Sequence, residues 1–319
     1  MRDAFIRWLN GTPPAIVGAW WSGSGVCFVR MVKDGGQETI SAVVYEPCGK
    51  SVVIDSDAAA VERGELINVL RNAAERLGAS RYRYAVGIPS GDIFTKSIKI
   101  PSGLDDLQVE QLSLVEAISN LPVPPEEVCA DFLRNETTLE AMNETVEVAF
   151  CKRALIDELS LLAEDAALQV AVVDRDIQAI HDAAVWCASG QLTQAEALYP
   201  LGIVMPGDRG RFIICRGPLD LNGYELPQEN ASSDHHQENV EVDSLAVYCR
   251  RAGLSESTTG YLKTLWVVNE TPGKNSLSGV APYAALAQNV GLINPLVADL
   301  APGAPVEGLM VALGMALRI

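Results

Sequence analysis

Cations are scarce in this sequence. Its 319 residues carry 24 Lys and Arg against 41 Asp and Glu, a formal charge of −17. A surface of that sign repels phosphate backbones, which excludes general nucleic-acid binding, and it has no net attraction for anionic lipid. Closely spaced cysteines are missing too. Cys27, Cys48, Cys129, Cys151, Cys187, Cys215 and Cys249 are scattered, odd in number and without a Cys-x-x-Cys spacing. Most sit in apolar contexts, so they read as small buried hydrophobes in a reducing compartment. No apolar run reaches the roughly 18 residues of a membrane-spanning helix. The N-terminal MRDAFIRWLNGTPP is too polar for a secretory signal. The spacing of Phe5, Ile6, Trp8 and Leu9 predicts one face of a short amphipathic helix there, expected to dock on the protein's own surface, with a weak contact to a membrane or membrane partner as the alternative.

What is present supports a sizeable core: 48% of residues are hydrophobic and only 20% charged. The length suits two domains or one bilobal domain. Residues 17–28 read VGAWWSGSGVCF, a strand, a Ser-Gly-Ser-Gly turn and a returning strand, the outline of a hairpin that cradles phosphates. Residues 202–219, GIVMPGDRGRFIICRGPL, repeat that outline about 185 residues later, which suggests two related halves. Asp34-Gly35-Gly36 is a further hairpin turn. Apolar spacing predicts a helix over 58–77 and strands over 82–88 and 93–100. A helix over 104–121, strands at 128–133 and 146–151 and a helix over 155–167 then outline a small α+β module. A strand at 169–173, a helix over 174–189, a buried strand at 265–269, a helix over 282–290 and an apolar helix over 311–318 complete the pattern.

Several motifs read as structure. Cys48-Gly49-Lys50-Ser51 ends like a phosphate-binding loop, but the first glycine of that pattern would fall at Val44 and a strand follows. Asp234, His235, His236 and Glu238 have metal-ligand chemistry but lie in a polar stretch and read as solvated. In Gly87-Ile88-Pro89-Ser90-Gly91 the serine is misplaced for a hydrolase elbow. His181 falls on a helix as a packed or surface residue.

The segments VGIPSGDIFTKSIKIP (86–101), VEQLSLVEAISNLPVPPEEVCADF (109–132), VEVAFCKRALIDELSLLAEDAALQVAVVDRDIQAI (146–180) and ALGMALR (312–318) carry a resemblance. With the two glycine hairpins, they make the chain similar to the PilM-like type IV pilus assembly proteins, part of the actin-like ATPase superfamily. The resemblance implies an α/β, bilobal actin-like (ribonuclease H-like) fold with a small α+β insert in the first lobe. The first lobe is then expected over 1–190, with the insert at 91–168, and the second over 191–319.

The departures from the superfamily pattern concern chemistry. Its first hairpin reads roughly Gly-x-Asp-x-Gly-Ser, whereas this chain has Gly18, Ala19, Trp20, Trp21, Ser22 and Gly23. Its second has Asp-x-Gly where this chain has Met205, Pro206 and Gly207. The Gly-Gly turn on the adenosine side is replaced by Asn269, Glu270, Thr271 and Pro272. ATP arrives with Mg²⁺, which wants carboxylates or their waters, and phosphoryl transfer depends on positioning and charge neutralisation. Trp and Met supply neither. Ser22, Gly23, Ser24, Gly25 and Gly207 are the positions of the degenerate phosphate turns; Asp208 would repel an anion there, and Arg209 and Arg211 would attract one. No catalytic residue, metal or cofactor is expected, ATP and Mg included.

The implied role is a non-catalytic scaffold at the cytoplasmic face of the bacterial inner membrane. It would bind the N-terminal cytoplasmic tail of a PilN-like bitopic protein in the groove between the first lobe and its insert, contacting the membrane only indirectly. Apolar candidates for the groove are Ile88, Pro89, Phe94, Ile98 and Leu112. Other pilus assembly proteins, or a second copy meeting at the insert, are further implied partners. Two alternatives stand beside this reading. One is an active actin-like ATPase with metal-dependent nucleotide binding. The other is a scaffold like MshI or the GspL cytoplasmic domain; GspL-like proteins continue into a transmembrane helix, so a chain ending at Ile319 is expected not to be one.

Overall fold

Both glycine hairpins form, and each opens a five-stranded sheet. A computed structural model describes residues 16–22, 25–34, 37–48, 60–78, 82–120, 124–134, 143–188, 199–205, 210–217, 220–226, 237–257, 260–268, 283, 285–293 and 301–318. By its contacts the chain divides into two units, one of Met1–Gly87 with Ala166–Ile319 and one of Ile88–Asp165.

In the first unit, β1 (Ile16–Ser22), β2 (Gly25–Asp34), β3 (Gln37–Pro47), β4 (Arg83–Ile88) and β8 (Gln169–Arg175) form a sheet in the order β3-β2-β1-β4-β8. β9 (Leu201–Met205), β10 (Arg211–Cys215), β11 (Leu221–Glu225), β12 (Leu262–Val268) and β13 (Ala287–Ile293) form the other, in the order β11-β10-β9-β12-β13. In each, the opening strand runs antiparallel to the second and parallel to the fourth. The same third-second-first-fourth-fifth order twice over is the mixed α/β, actin-like plan. A short hairpin can join antiparallel strands, but a parallel step needs a longer crossover; the helices Ala60–Arg76 and Gln237–Arg251 lie in those that lead to β4 and β12.

Helix α1 (Ala60–Arg76) buries Leu66, Leu70 and Ala73 on one stripe, at helical spacing. Helices α4 (Asp176–Ala188) and α6 (Val306–Ala316) are buried nearly all round and share one core cluster with strands of both sheets. They approach closely because their facing residues are small. A Cβ on Gly314 would lie 1.8 Å from the Ala179 carbonyl oxygen, so nothing larger than glycine fits there. A second cluster packs Leu245 and Cys249 of α5 (Gln237–Arg251) against Phe212 and Leu265 of the second sheet.

The second unit is a three-stranded antiparallel sheet, β5 (Phe94–Pro101), β7 (Asn143–Lys152) and β6 (Val128–Arg134), in the order β5-β7-β6. Alternation along β7 puts Val146, Val148 and Phe150 on the face covered by α2 (Asp106–Asn120), where Val109 completes the core. α2 opens on a capping box. The Gln108 amide N–H donates to Asp105 Oδ1 (2.8 Å), and the Asp105 N–H donates to Gln108 Oε1 (3.0 Å). α3 (Arg153–Asp165) follows β7 and packs on β6 and β7, and Arg153 donates to the carbonyls of Glu126 (2.7 Å) and Val128 (3.0 Å).

Two expectations are corrected. The apolar spacing over 282–290 reads as helix, but Ala287–Ile293 is β13, held by parallel pairing with β12. The C-terminal helix begins at Val306 rather than 311: Pro305 precedes it and Glu307 lies in its first turn, both favourable at a helix start.

Candidate functional site

Register places the first metal-acid position in the core. Trp20 faces Cys27 across the β1–β2 ladder and is only 7% exposed. Its ring lies on α6: a Cβ on Gly308 would come within 2.5 Å of Trp20 Cε3. Met205, at the end of β9, is 3% exposed and belongs to the same apolar cluster. Burying a side chain of either size contributes about 2–3 kcal/mol. A hydrated divalent cation needs carboxylate or water oxygens, and these two positions offer packed hydrocarbon instead.

The neighbouring cation is already committed. Arg211 pairs in register with Met205. Its guanidinium forms an ion pair with Asp176 at the start of α4, and its Nη2 lies 2.8 Å from Glu307 Oε1 in the first turn of α6. Burial opposes the Arg211 charge, but Asp176 and Glu307 hold its pKa above the ordinary arginine value. Arg211 is therefore neutralised by two carboxylates rather than poised for an anion, as its place beside the turn suggested. The first turn of α6 meets both hairpins, touching β1 through Gly308 and Trp20 and β10 through Glu307 and Arg211. Asp176 and Glu307 were not legible as partners, being 35 and 96 residues from Arg211 in the chain. The only sequence signal was an acid in the first turn of each helix.

Of the phosphate-turn positions, Ser22 and Gly25 face each other at the end of the β1–β2 ladder. Gly23, Ser24, Gly207, Asp208 and Arg209 lie outside the described residues, as do Asn269 to Pro272, Asp234 to His236 and the N-terminal Phe5 to Leu9. Among the described residues no group of three or more His, Cys, Asp or Glu side chains is placed to hold a metal. His181 is buried, with its ring nitrogens 2.9 Å from Asp182 Oδ1 and 3.1 Å from the Tyr199 hydroxyl, as suits a packed histidine.

The peptide-groove candidates spread over three settings. Ile88 ends β4 and is buried at 4%. Pro89 is exposed and leads into a single 3-10 turn, Ser90–Asp92. Phe94, Ile98 and Leu112 all lie in the second unit, the first two on β5 and the third on α2. Phe94 and Ile98 share the helix-covered face of β5, with Phe94 half exposed at 50% and stacked on Phe150 at a ring separation of 5.8 Å. Lys96, between them on that face, pairs with Glu116 of α2. Leu112 lies one turn before Glu116 and is 38% exposed. Val115 extends the apolar flank of α2. β5 is an edge strand, and among the described residues β7 alone pairs with it. The second unit thus presents partly open apolar side chains on the helix side of the sheet, next to an edge strand tied to α2 by one ion pair.

Comparison with known proteins agrees with this architecture. The solved "PilM-PilN type IV pilus biogenesis complex" matches with a TM-score of 0.65 and 17% identity over 95% of this chain and 98% of that one. The cytoplasmic domain of EpsL, an inner membrane component of the type II secretion system of Vibrio cholerae, matches with a TM-score of 0.52 and 9% identity over 96% of each chain. At such identities the likeness is one of fold. The model for the family "Type IV pilus assembly protein PilM" matches residues 18–204, more than half of the chain. This protein therefore belongs to the type IV pilus assembly protein PilM family.

Proposed function

We propose that this protein is a non-catalytic scaffold of type IV pilus assembly that holds the N-terminal tail of a PilN-like membrane protein. The observation that carries the proposal is the partly open apolar surface of Phe94 and Ile98 on the edge strand β5 and of Leu112 on α2. An extended tail adding to that edge gains main-chain hydrogen bonds from β5 and seats alternate side chains on the apolar residues. The likeness to the solved complex of PilM with PilN supports the choice of partner. The scaffold reading is supported by Trp20 and Met205 at the metal-acid positions and by the ion-paired Arg211. Part of the same reading is a first lobe over 1–190 and a second over 191–319, placed at the cytoplasmic face of the inner membrane. Among the described residues no helix is long and apolar enough to cross a membrane.

The test is fluorescence anisotropy with a labelled peptide of the PilN-like partner's N-terminal tail. Phe94→Asp is expected to weaken binding at least tenfold while circular dichroism stays unchanged. Val32→Asp, at an exposed position of β2, is expected to leave affinity as it was. Undiminished binding by the Phe94 variant would place the tail elsewhere.

A further inference from the structure

Two cysteines that are 22 positions apart in the chain meet across one ladder. In the β6–β7 pairing, Cys129 stands directly opposite Cys151. Directly opposed residues of an antiparallel pair point to the same face, with Cα atoms about 4.5–5.5 Å apart. Disulfides span Cα separations of about 4.4–6.8 Å, so the register puts this pair within the backbone range that a disulfide bridges. The other cysteines lack this arrangement. Cys27 faces Trp20 and Tyr45, and Cys215 faces Leu201 and Leu221. Among the described strands, Cys129 and Cys151 alone are in register with each other.

The pair lies on the sheet face away from α2. Along β7, Val146, Val148 and Phe150 fill the core under that helix, whereas Cys151 alternates to the other side. Cys129 alternates likewise between Val128 and Ala130. Their access differs: Cys129 is half-buried and Cys151 buried. Burial also pushes the Cys151 thiol up to about 11, with Cys129 and Asp92 adding to the rise. The more open sulfur is therefore the one a small oxidant meets first.

We propose that Cys129 and Cys151 are a redox-modification site, a dithiol that closes to a cross-strand disulfide by exchange with a low-molecular-weight disulfide. In the first step the Cys129 sulfur attacks the small disulfide, forming a mixed disulfide and releasing one small thiol. In the second, the Cys151 sulfur attacks the Cys129 sulfur and releases the other small thiol. The two cysteines lose two electrons and two protons, and the small disulfide gains both. In a reducing compartment such a bond is transient and reports oxidant. It would fix the end of β7 next to Phe150, whose ring stacks on Phe94.

The test uses the whole purified protein and oxidised glutathione. After incubation, remaining thiols are alkylated in denaturant and the chain is digested with trypsin. The expected product is one cross-linked pair of peptides, residues 100–134 carrying Cys129 and residues 135–152 carrying Cys151, which dithiothreitol separates. Alkylation is expected to fall by two groups relative to the reduced protein. Cys151→Ser is expected to stop at a glutathione adduct on Cys129, and Cys129→Ala to abolish the cross-link. Recovery of both cysteines as alkylated thiols, as separate glutathione adducts, or bonded to other cysteines would overturn the proposal.

Discussion

At the scale of single residues, Trp20 decides more than its position suggests. It occupies the place where the superfamily resemblance implies a metal-holding acid, and its ring is packed on the first turn of α6 at Gly308. A carboxylate in its place would be buried against hydrocarbon without a partner. Trp20→Asp is expected to lower stability by roughly 4 kcal/mol in urea denaturation, against about 1–2 kcal/mol for Trp20→Phe. The double variant Trp20→Asp with Met205→Asp is expected to release no phosphate from ATP, because the adenosine-side Gly-Gly turn is replaced as well, by Asn269 to Pro272. Turnover would overturn the reading that Asn269 to Pro272 no longer serve as an adenosine-side turn. At this scale the sequence was legible for identity but not for partnership. Both lost acids could be read from the chain, whereas the Arg211 contacts to Asp176 and Glu307 join three distant segments. Nothing local distinguishes an arginine that awaits an anion from one already paired.

At the scale of elements, α6 ties the first unit together. Its small residues let it run against both β1 and α4. Gly314→Val would force backbone apart at the Ala179 carbonyl and is expected to cost roughly 3 kcal/mol. Gly64→Ala, in α1 where nothing lies within 4 Å of the new Cβ, is expected to gain about 0.5–1 kcal/mol from helix propensity. Thermal denaturation reads both, and the opposite signs separate close packing from intrinsic preference. Most elements were visible in the apolar periodicity. The failure at 282–290 is instructive: a short apolar run carries no information about the neighbour it will pair with, and β12 supplied that neighbour.

At the scale of the whole molecule, calorimetric titration with ATP, with and without Mg²⁺, is expected to show no binding heat under either condition. Micromolar, metal-dependent binding would mean that carboxylates other than those at the two lost positions hold the cation, and would favour the ATPase reading. The net charge of −17 makes any association with anionic lipid or nucleic acid unfavourable as a whole. A repeated strand-turn-strand pattern, a hydrophobic content sufficient for a large core and a family likeness along the insert are properties of the chain itself. Local chemistry and periodicity suffice to express the first two, so the sequence alone determined the two-halved α/β plan, while the resemblance implied the loss of both acids. The tertiary structure decided what filled the vacated positions, which cation was neutralised, which two of seven cysteines face each other, and which candidate apolar residues remain open. Ile88 is packed away while Phe94 is half exposed. That difference depends on which surfaces the folded neighbours cover, and burial is a property of contacts between segments far apart in the chain.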